Sequence, residues 1–144
     1  MALVQRVSRA QVAVAGQSVA AIDRGLLVFV CAEPHDDDTV AAKLVAKLLK
    51  LRIFADDAGK MNRSLQDIAG GLLIVSQFTL AADTKGGNRP SFTGAAPPAL
   101  GRALYERVLA VARASHPLVA CGEFGAEMQV QLVNDGPVTI PLRL

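Results

Sequence analysis

A pair of alternating runs near the C-terminus most strongly constrains the fold of this chain. Apolar side chains stand at every second position of residues 128–133 and again of residues 138–142. A period of two predicts strands with one buried face. Between the runs lies Asn-Asp-Gly-Pro, in which each residue favours a turn. The local pattern therefore predicts a C-terminal hairpin that turns within residues 134–139.

Gly136-Pro137 is the stiffest part of this turn segment. Proline fixes its own φ and lacks an N–H, and an X-Pro bond is the one place where a cis peptide costs little. The segment could therefore also be a rigid main-chain prong that meets a ligand, and its six residues do not decide between the two interpretations. Pro141 cannot donate to a sheet ladder, so we expect the last strand to pair on one side only.

The remaining segments predict a single α/β domain over residues 1–144. Two helices are expected, from Asp36-Asp37-Asp38 to about residue 51 and from Pro97-Pro98 to about residue 115. Strands are expected near residues 3–10, in a hairpin over 11–22, and near residues 26–31, 52–55, 72–75 and 117–122. This order favours a mixed, mostly antiparallel sheet with two main helices.

Composition narrows the class of protein. Hydrophobic residues make up 51% and charged residues 19%, which is typical of a folded domain. The densest apolar run, residues 26–32, is far shorter than the ~20 residues that span a bilayer, and the N-terminus lacks the apolar core of a signal peptide. We therefore expect a soluble cytoplasmic protein with no membrane partner. The net charge of +2 permits a nucleic-acid partner without implying one.

No conventional catalytic set is visible in the sequence. The hydroxyls near strand ends are Ser76, Thr79 and Thr139, and no local signature pairs one of them with a base. The two imidazoles each stand beside a proline, and we expect both, His35 and His116, to be isolated on the surface. Metal-ligand motifs are lacking and the two cysteines are far apart, so we expect free thiols and no metal or cofactor.

Two groups of cations leave a different class of function open. Lys43, Lys47 and Lys50 fall on one face of the first predicted helix, and Lys85 and Arg89 stand in a glycine-rich loop. Such groups are usually solvated surface, but cations three to four residues apart on a helix can also form a row that contacts phosphates. A small, non-catalytic RNA-binding module is therefore the alternative to an enzyme.

Two motifs together resemble those of the D-aminoacyl-tRNA deacylase family. They are Ser-Gln-Phe-Thr-Leu at residues 76–80 and Asn-Asp-Gly-Pro-Val-Thr at residues 134–139, and neither departs from the family pattern. Shorter pieces extend the resemblance over the full length, at residues 4–7, 52–54, 59–62 and 88–92. The resemblance implies a homodimeric, β-barrel-like hydrolase. Its substrate would be the ester that joins a D-amino acid, or glycine, to the 3′-terminal ribose of tRNA.

The resemblance also assigns roles to individual residues. Gly136-Pro137, in the cis form, would enter the partner subunit's active site and exclude L side chains. Asn134, Val138 and Thr139 would complete this substrate-binding segment, and Arg6 would hold its orientation. A trans bond at Gly136-Pro137 would instead suggest an editor with relaxed chirality.

The other wall of the implied site is the first motif. Ser76, Gln77, Phe78 and Thr79 would line it, and their backbone N–H groups could stabilise an oxyanion. Thr79 is the obvious candidate nucleophile, yet an unactivated hydroxyl is a poor one. The absence of a base fits the other route that the resemblance implies, in which the 2′-OH of the tRNA assists hydrolysis.

Overall fold

The computed structural model describes all 144 residues, which form eight strands, two α-helices and one short 3₁₀ helix. The strands are β1 (Ala2–Val14), β2 (Gln17–Ile22), β3 (Gly25–Val30), β4 (Phe54–Ala55), β5 (Met61–Arg63), β6 (Gly71–Ser76), β7 (Val119–Cys121) and β8 (Met128–Leu142). The helices are α1 (Asp38–Lys50), the 3₁₀ helix (Phe78–Ala81) and α2 (Pro98–Ser115). Neither α-helix is long and apolar enough to cross a membrane.

Six strands form one sheet in the order β2-β1-β3-β6-β7, and β8 pairs with the other edge of β1. The long strand β1 organises the sheet, because it pairs with β3 through its first half and with β2 through its second half. The β3–β6 and β6–β7 pairs are parallel and the other pairs are antiparallel. The end of β2 reaches β6, since a Cβ added to Gly71 would lie 2.8 Å from the Ile22 Cβ. The sheet is thus a nearly closed barrel, and the predicted mixed, mostly antiparallel domain is confirmed.

Both helices cover one face of this sheet. α1 begins where the acidic cluster predicted, because Asp37 Oδ1 accepts a hydrogen bond of 2.9 Å from the Val40 N–H. Alternate residues of the central strands face opposite cores: Leu26 and Val28 pack in the larger core with the helices, and Leu27 packs in a smaller core on the other face. A strand buried on both faces reads as a continuous apolar run, as the sequence indicated for β3.

The predicted C-terminal hairpin is wrong. Both alternating runs belong to the single strand β8, and both pair with β1. Gln5 pairs with Thr139 and Val7 with Asn134, so two steps along β1 correspond to five along β8. Three additional residues of β8 therefore form a large bulge. The expectation that the last strand pairs on one side only is confirmed, because β1 is the only partner of β8.

The prediction for His116 is also wrong. His116 lies at the C-terminal end of α2 with only 6% of its surface exposed, and its Nε2 is 2.7 Å from the Gly70 carbonyl oxygen. The local sequence, with a neighbouring proline, resembles a surface loop. His116 is buried because the C-terminal end of α2 packs against Gly70, the residue before β6. No local sequence pattern encodes this contact. His35 is exposed in the loop before α1, as expected.

Candidate active site

The bulge of β8 is closed by the side chain of Asn134. Its Oδ1 accepts a hydrogen bond of 2.7 Å from the Val138 N–H. Its Nδ2 donates to the Val138 carbonyl and to Thr139 Oγ1, both at 3.1 Å. Gln5 Nε2 donates to the same hydroxyl oxygen at 3.1 Å. Because Val138 is buried in the larger core, both ends of the bulge are fixed while its tip remains at the surface.

Arg6 holds the bulge from the side. Its Nε donates to the Asp135 carbonyl at 2.7 Å and lies 3.4 Å from Asp135 Oδ2. Its Nη1 donates to the Ile53 carbonyl at 2.6 Å. The guanidinium is largely buried and therefore links the bulge to the segment that follows α1. A planar group with several fixed donors suits this bridging position better than the flexible ammonium of lysine would.

Gly136 and Pro137 form the exposed tip of the bulge, and the peptide bond between them is cis. Gly136 has φ +156, and a Cβ there would lie 2.6 Å from the Val138 nitrogen. A side chain at this position therefore cannot be accommodated without moving the backbone. The tip presents main-chain atoms and a proline ring on a rigid support.

The first motif begins at the end of β6 and continues into the 3₁₀ helix. The Gln77 N–H donates to the Val30 carbonyl at 2.8 Å, which fixes the start of the turn. Phe78 follows and is exposed, with its ring packed edge-on against Phe92 at 5.2 Å between centroids. The N–H groups of Phe78 and Thr79 open the helix and so have no partner inside it. They are the candidate donors to an oxyanion.

Thr79 has no base beside it. Its Oγ1 accepts a hydrogen bond of 2.6 Å from Gln77 Nε2, and an amide N–H cannot take a proton. His116 is bound to Gly70, which is six residues before Ser76 and thus about 20 Å away along β6. His35 makes no hydrogen bond to either hydroxyl of the motif. The arrangement around Thr79 provides orientation and not activation of a nucleophile.

A cavity of about 670 Å³ opens beside the first motif. It lies between α1, α2 and the ends of β3, β6 and β8, and its walls are mostly apolar. Ser76, Gln77 and Phe78 line the cavity, as does the buried Cys31. Burial raises the pKa of the Cys31 thiol, whose Sγ is 3.6 Å from the Phe78 carbonyl oxygen. Both cysteines are free, as predicted.

The two motifs do not meet within one chain. Across the sheet, Asn134 of β8 is in register with Gly71 at the start of β6, through the pairings with Val7 and Gly25. Ser76 is at the other end of β6. Five residues along β6 separate these two positions, or about 16 Å along the strands. The cavity accordingly includes Ser76, Gln77 and Phe78 but neither Gly136 nor Pro137.

Three residues that support these sites lie within the short pieces of the family resemblance, but the sequence assigned them no role. Gln5 supports Thr139, the Ile53 carbonyl binds Arg6, and Phe92 packs on Phe78. Each contact joins residues far apart in the chain, so no local pattern could reveal it. Val138, predicted beside the substrate, has its side chain in the core and anchors the bulge. No three metal-ligating side chains are grouped together.

Comparison with known proteins identifies the family. The model of the D-Tyr-tRNA(Tyr) deacylase family matches residues 3–143. A D-aminoacyl-tRNA deacylase of Variovorax paradoxus is 68% identical over 99% of this chain and 98% of its own length. A protein of the same description from Methylibium petroleiphilum is 70% identical over 99% of this chain and 93% of its own.

Two solved structures share the fold of this chain. A chain described as a c-Myc DNA unwinding element binding protein superposes with a TM-score of 0.94 at 40% identity, over 99% of this chain and 97% of that one. A probable eukaryotic D-amino acid tRNA deacylase gives a TM-score of 0.82 at 20% identity, over 96% of each chain, which supports the fold. With one family model and close relatives matching almost end to end, this chain belongs to the D-Tyr-tRNA(Tyr) deacylase family.

Proposed function

We propose that this protein is a homodimeric D-aminoacyl-tRNA deacylase that hydrolyses the ester between a D-amino acid, or glycine, and the 3′-terminal ribose of tRNA. The observation that carries the proposal is the exposed Gly136-Pro137 tip, held rigidly by Asn134 and Arg6. A main-chain tip on so fixed a support is suited to reading the shape of a small substrate.

The tip would act as the chiral filter. Its main-chain carbonyls would accept hydrogen bonds from the α-amino group of the substrate, and its surface would leave no room for a side chain of L configuration. Discrimination of this kind works by steric exclusion of the wrong substrate, so it requires a rigid surface. The hydrogen bonds of Asn134 and Arg6 provide that stiffness at the two sides of the tip.

The chemical step would be attack of water on the ester carbonyl carbon. The negative charge that develops on the carbonyl oxygen would be stabilised by the N–H groups at the start of the 3₁₀ helix, on Phe78 and Thr79. The ester C–O bond then breaks, and the 3′ oxygen leaves with a proton. We assign assistance in this proton transfer to the neighbouring 2′-OH of the ribose, because Thr79 is hydrogen-bonded to an amide and not to a base.

The proposal places the two motifs in different subunits. They are about 16 Å apart along the strands of one chain, so the tip of one protomer would complete the Ser76–Thr79 site of its partner. Large exposed apolar side chains support an interface at both places, with Val133 beside the bulge and Phe78 and Phe92 beside the cavity. Such patches are typical of surfaces that another chain covers.

Nucleic-acid binding without hydrolysis is the second candidate. It is favoured by the cations of α1 that have no acidic partner, and by the structural relative named for binding a DNA element. It predicts salt-sensitive RNA binding with no release of amino acid.

The first experiment compares the release of tyrosine from D-tyrosyl-tRNA and L-tyrosyl-tRNA, with and without a chelator. The proposed function predicts rapid hydrolysis of the D ester alone, with the same rate when chelator is present. Binding of both tRNAs without hydrolysis of either would refute it and favour the binding module. Equal hydrolysis of the two esters would refute the assignment of Gly136-Pro137 as a chiral filter.

A complementation experiment tests the shared site. Gly136→Ala should disable the tip, and Ser76→Tyr should block the cavity beside Gln77. If each site uses the tip of the partner, mixing and refolding the two inactive variants should restore about a quarter of wild-type activity, because half of the dimers would be mixed and hold one intact site of two. No recovery in mixtures shown to contain mixed dimers would refute the arrangement across subunits.

A further inference from the structure

Four cations form a row on and just after α1. Lys43, Lys47 and Lys50 are spaced by four and three residues, so they stand along one exposed line of the helix. Arg52 is exposed two residues after the helix, with its Nε donating to the Asn62 carbonyl at 2.9 Å. None of the four is within ion-pair distance of a carboxylate. We refer to these four residues as the α1 cation row.

The row begins beside the cavity. Val40, Ala41 and Leu44 of the same helix line the cavity, and Lys43 lies within one turn of them on the outer side. The helix rises about 10.5 Å from Lys43 to Lys50. The row then reaches the segment whose Ile53 carbonyl binds Arg6. It therefore leads from the wall of the cavity towards the support of the bulge.

Nearby charges are already neutralised or occupied. Asp37 caps the Val40 N–H, Asp36 accepts from the Glu33 N–H, and Asp38 lies 3.3 Å from Arg107 of α2. Arg102 lies 3.9 Å from Glu106 on the exposed side of α2. The α1 cation row thus has no carboxylate partner, while the acidic residues at the start of the helix have defined structural roles. Lys85 and Arg89 are also unpaired, but they project from a loop and form no regular row.

We propose that the α1 cation row binds the backbone phosphates of the acceptor stem of the tRNA substrate. The inference rests on the proposed function, because an ester held at the cavity requires the attached RNA to cross its rim. The three lysines of the row span about 10.5 Å and present three separate point charges, so they can make up to about three phosphate contacts. Lysine acts as a point charge on phosphate, so the row contributes affinity shared by all tRNAs and does not read sequence.

The test uses the full-length protein and two substrates. One is D-tyrosyl-tRNA, and the other is 3′-O-D-tyrosyl-adenosine, which carries the same ester but no phosphate. The variant is Lys43→Gln/Lys47→Gln/Lys50→Gln, which keeps good helix formers at exposed positions. A charge-matched control replaces three exposed cations elsewhere, as Arg9→Gln/Lys60→Gln/Arg113→Gln. kcat/KM is measured from 50 to 200 mM salt.

The expected result is specific to the tRNA. Log affinity falls as log salt rises, and each lost phosphate contact makes this dependence shallower by about 0.7–0.9. Loss of three contacts should therefore make the slope less negative by about 2.5. On D-tyrosyl-tRNA, the wild-type kcat/KM divided by the variant kcat/KM should therefore fall about 30-fold as the salt rises from about 50 to about 200 mM. The adenosine ester should be hydrolysed at the wild-type rate, and the control should keep the wild-type slope.

Three outcomes would overturn the inference. A wild-type salt slope in the lysine variant would show that the row does not contact phosphate. Equal losses on both esters would show a defect in the site and not in RNA binding, and an equal slope change in the control would show that only net charge matters. If wild-type protein hydrolyses neither ester, the proposed function itself fails, and that result is distinct from the other three.

Discussion

Replacing Asn134 by alanine is the sharpest probe of the bulge. The side chain makes three hydrogen bonds that close residues 134–139 into a rigid unit. Alanine removes all three and leaves the Val138 N–H without its acceptor. Because Val138 is only 8% exposed, water does not easily replace that acceptor. The substitution therefore acts on the support of the Gly136-Pro137 tip without touching the tip.

The magnitude follows from these contacts. A buried N–H left without a partner costs about 1–3 kcal/mol. The two bonds donated by Nδ2 lie nearer the surface, where solvent can replace the donor, and each contributes at the low end of about 0.5–1.5 kcal/mol. We expect a loss of about 2–4 kcal/mol in the free energy of unfolding, or roughly 8–16 °C in Tm for a chain of this size.

The assay is thermal and chemical unfolding at one protomer concentration, since the stability of a dimer depends on concentration. Gln131→Ala is the matched control, because it truncates an exposed amide on the same strand that makes no hydrogen bond within the protein. It should change Tm by less than about 2 °C, given that exposed substitutions usually cost under about 0.5 kcal/mol. The ratio of kcat/KM for D-tyrosyl-tRNA to that for L-tyrosyl-tRNA should fall in Asn134→Ala and stay unchanged in the control.

Two results would refute this reasoning. A change in Tm no larger than that of the control would show that the hydrogen bonds of Asn134 do not hold the bulge. A large loss of stability with full chiral selectivity would show that the rigidity of the bulge is not what excludes the L substrate.

Four further predictions concern other parts of the molecule. Thr79→Ala should keep kcat/KM within about 10-fold of wild type, because removal of a group active in proton transfer typically costs 10²–10⁴-fold; a folded, tRNA-binding but inactive variant would refute the route through the 2′-OH. Gly136→Ala should lose activity on the D ester at nearly unchanged helix content by circular dichroism, since its methyl group would lie 2.6 Å from the Val138 nitrogen; normal kinetics would contradict the steric argument. His116→Ala should lower the unfolding free energy by about 1–3 kcal/mol by leaving the Gly70 carbonyl buried without its partner, while kcat per folded molecule stays the same, as measured by titration of folded protein. The Ser64 N–H and hydroxyl hold the pKa of Asp67 below its ordinary value of 3.8. The stability that this carboxylate contributes is therefore present above pH 3.8 and is lost as the pH falls through the lower folded-state pKa. The difference in unfolding free energy between Asp67→Asn and wild type should be constant near pH 7 and should shrink as the pH falls below 3.8; a difference that stays constant over the whole range would contradict this.

Local sequence determined a large part of this structure. Asp37 caps α1 at the predicted place, the continuous apolar run 26–31 became a strand buried on both faces, and α2 begins at the paired prolines. These features depend on contacts within one helical turn or on the burial of neighbouring residues, so a short segment of sequence is enough to predict them. The two motifs also indicated the family correctly, because their order and spacing are properties of the chain itself.

Tertiary structure alone decided how the C-terminal segment is used. Two alternating runs around Asn-Asp-Gly-Pro have the same local pattern whether they pair with each other or with a third strand. Here both runs pair with β1, more than 120 residues away for Gln5 and Thr139, and the turn residues became a bulge closed by Asn134 and Arg6. Tertiary structure also decided the burial of His116, because the end of α2 and the start of β6 come into contact only in the folded chain. Choice of a strand partner depends on the free edge that the rest of the chain offers, and that edge exists only once β1 is in place.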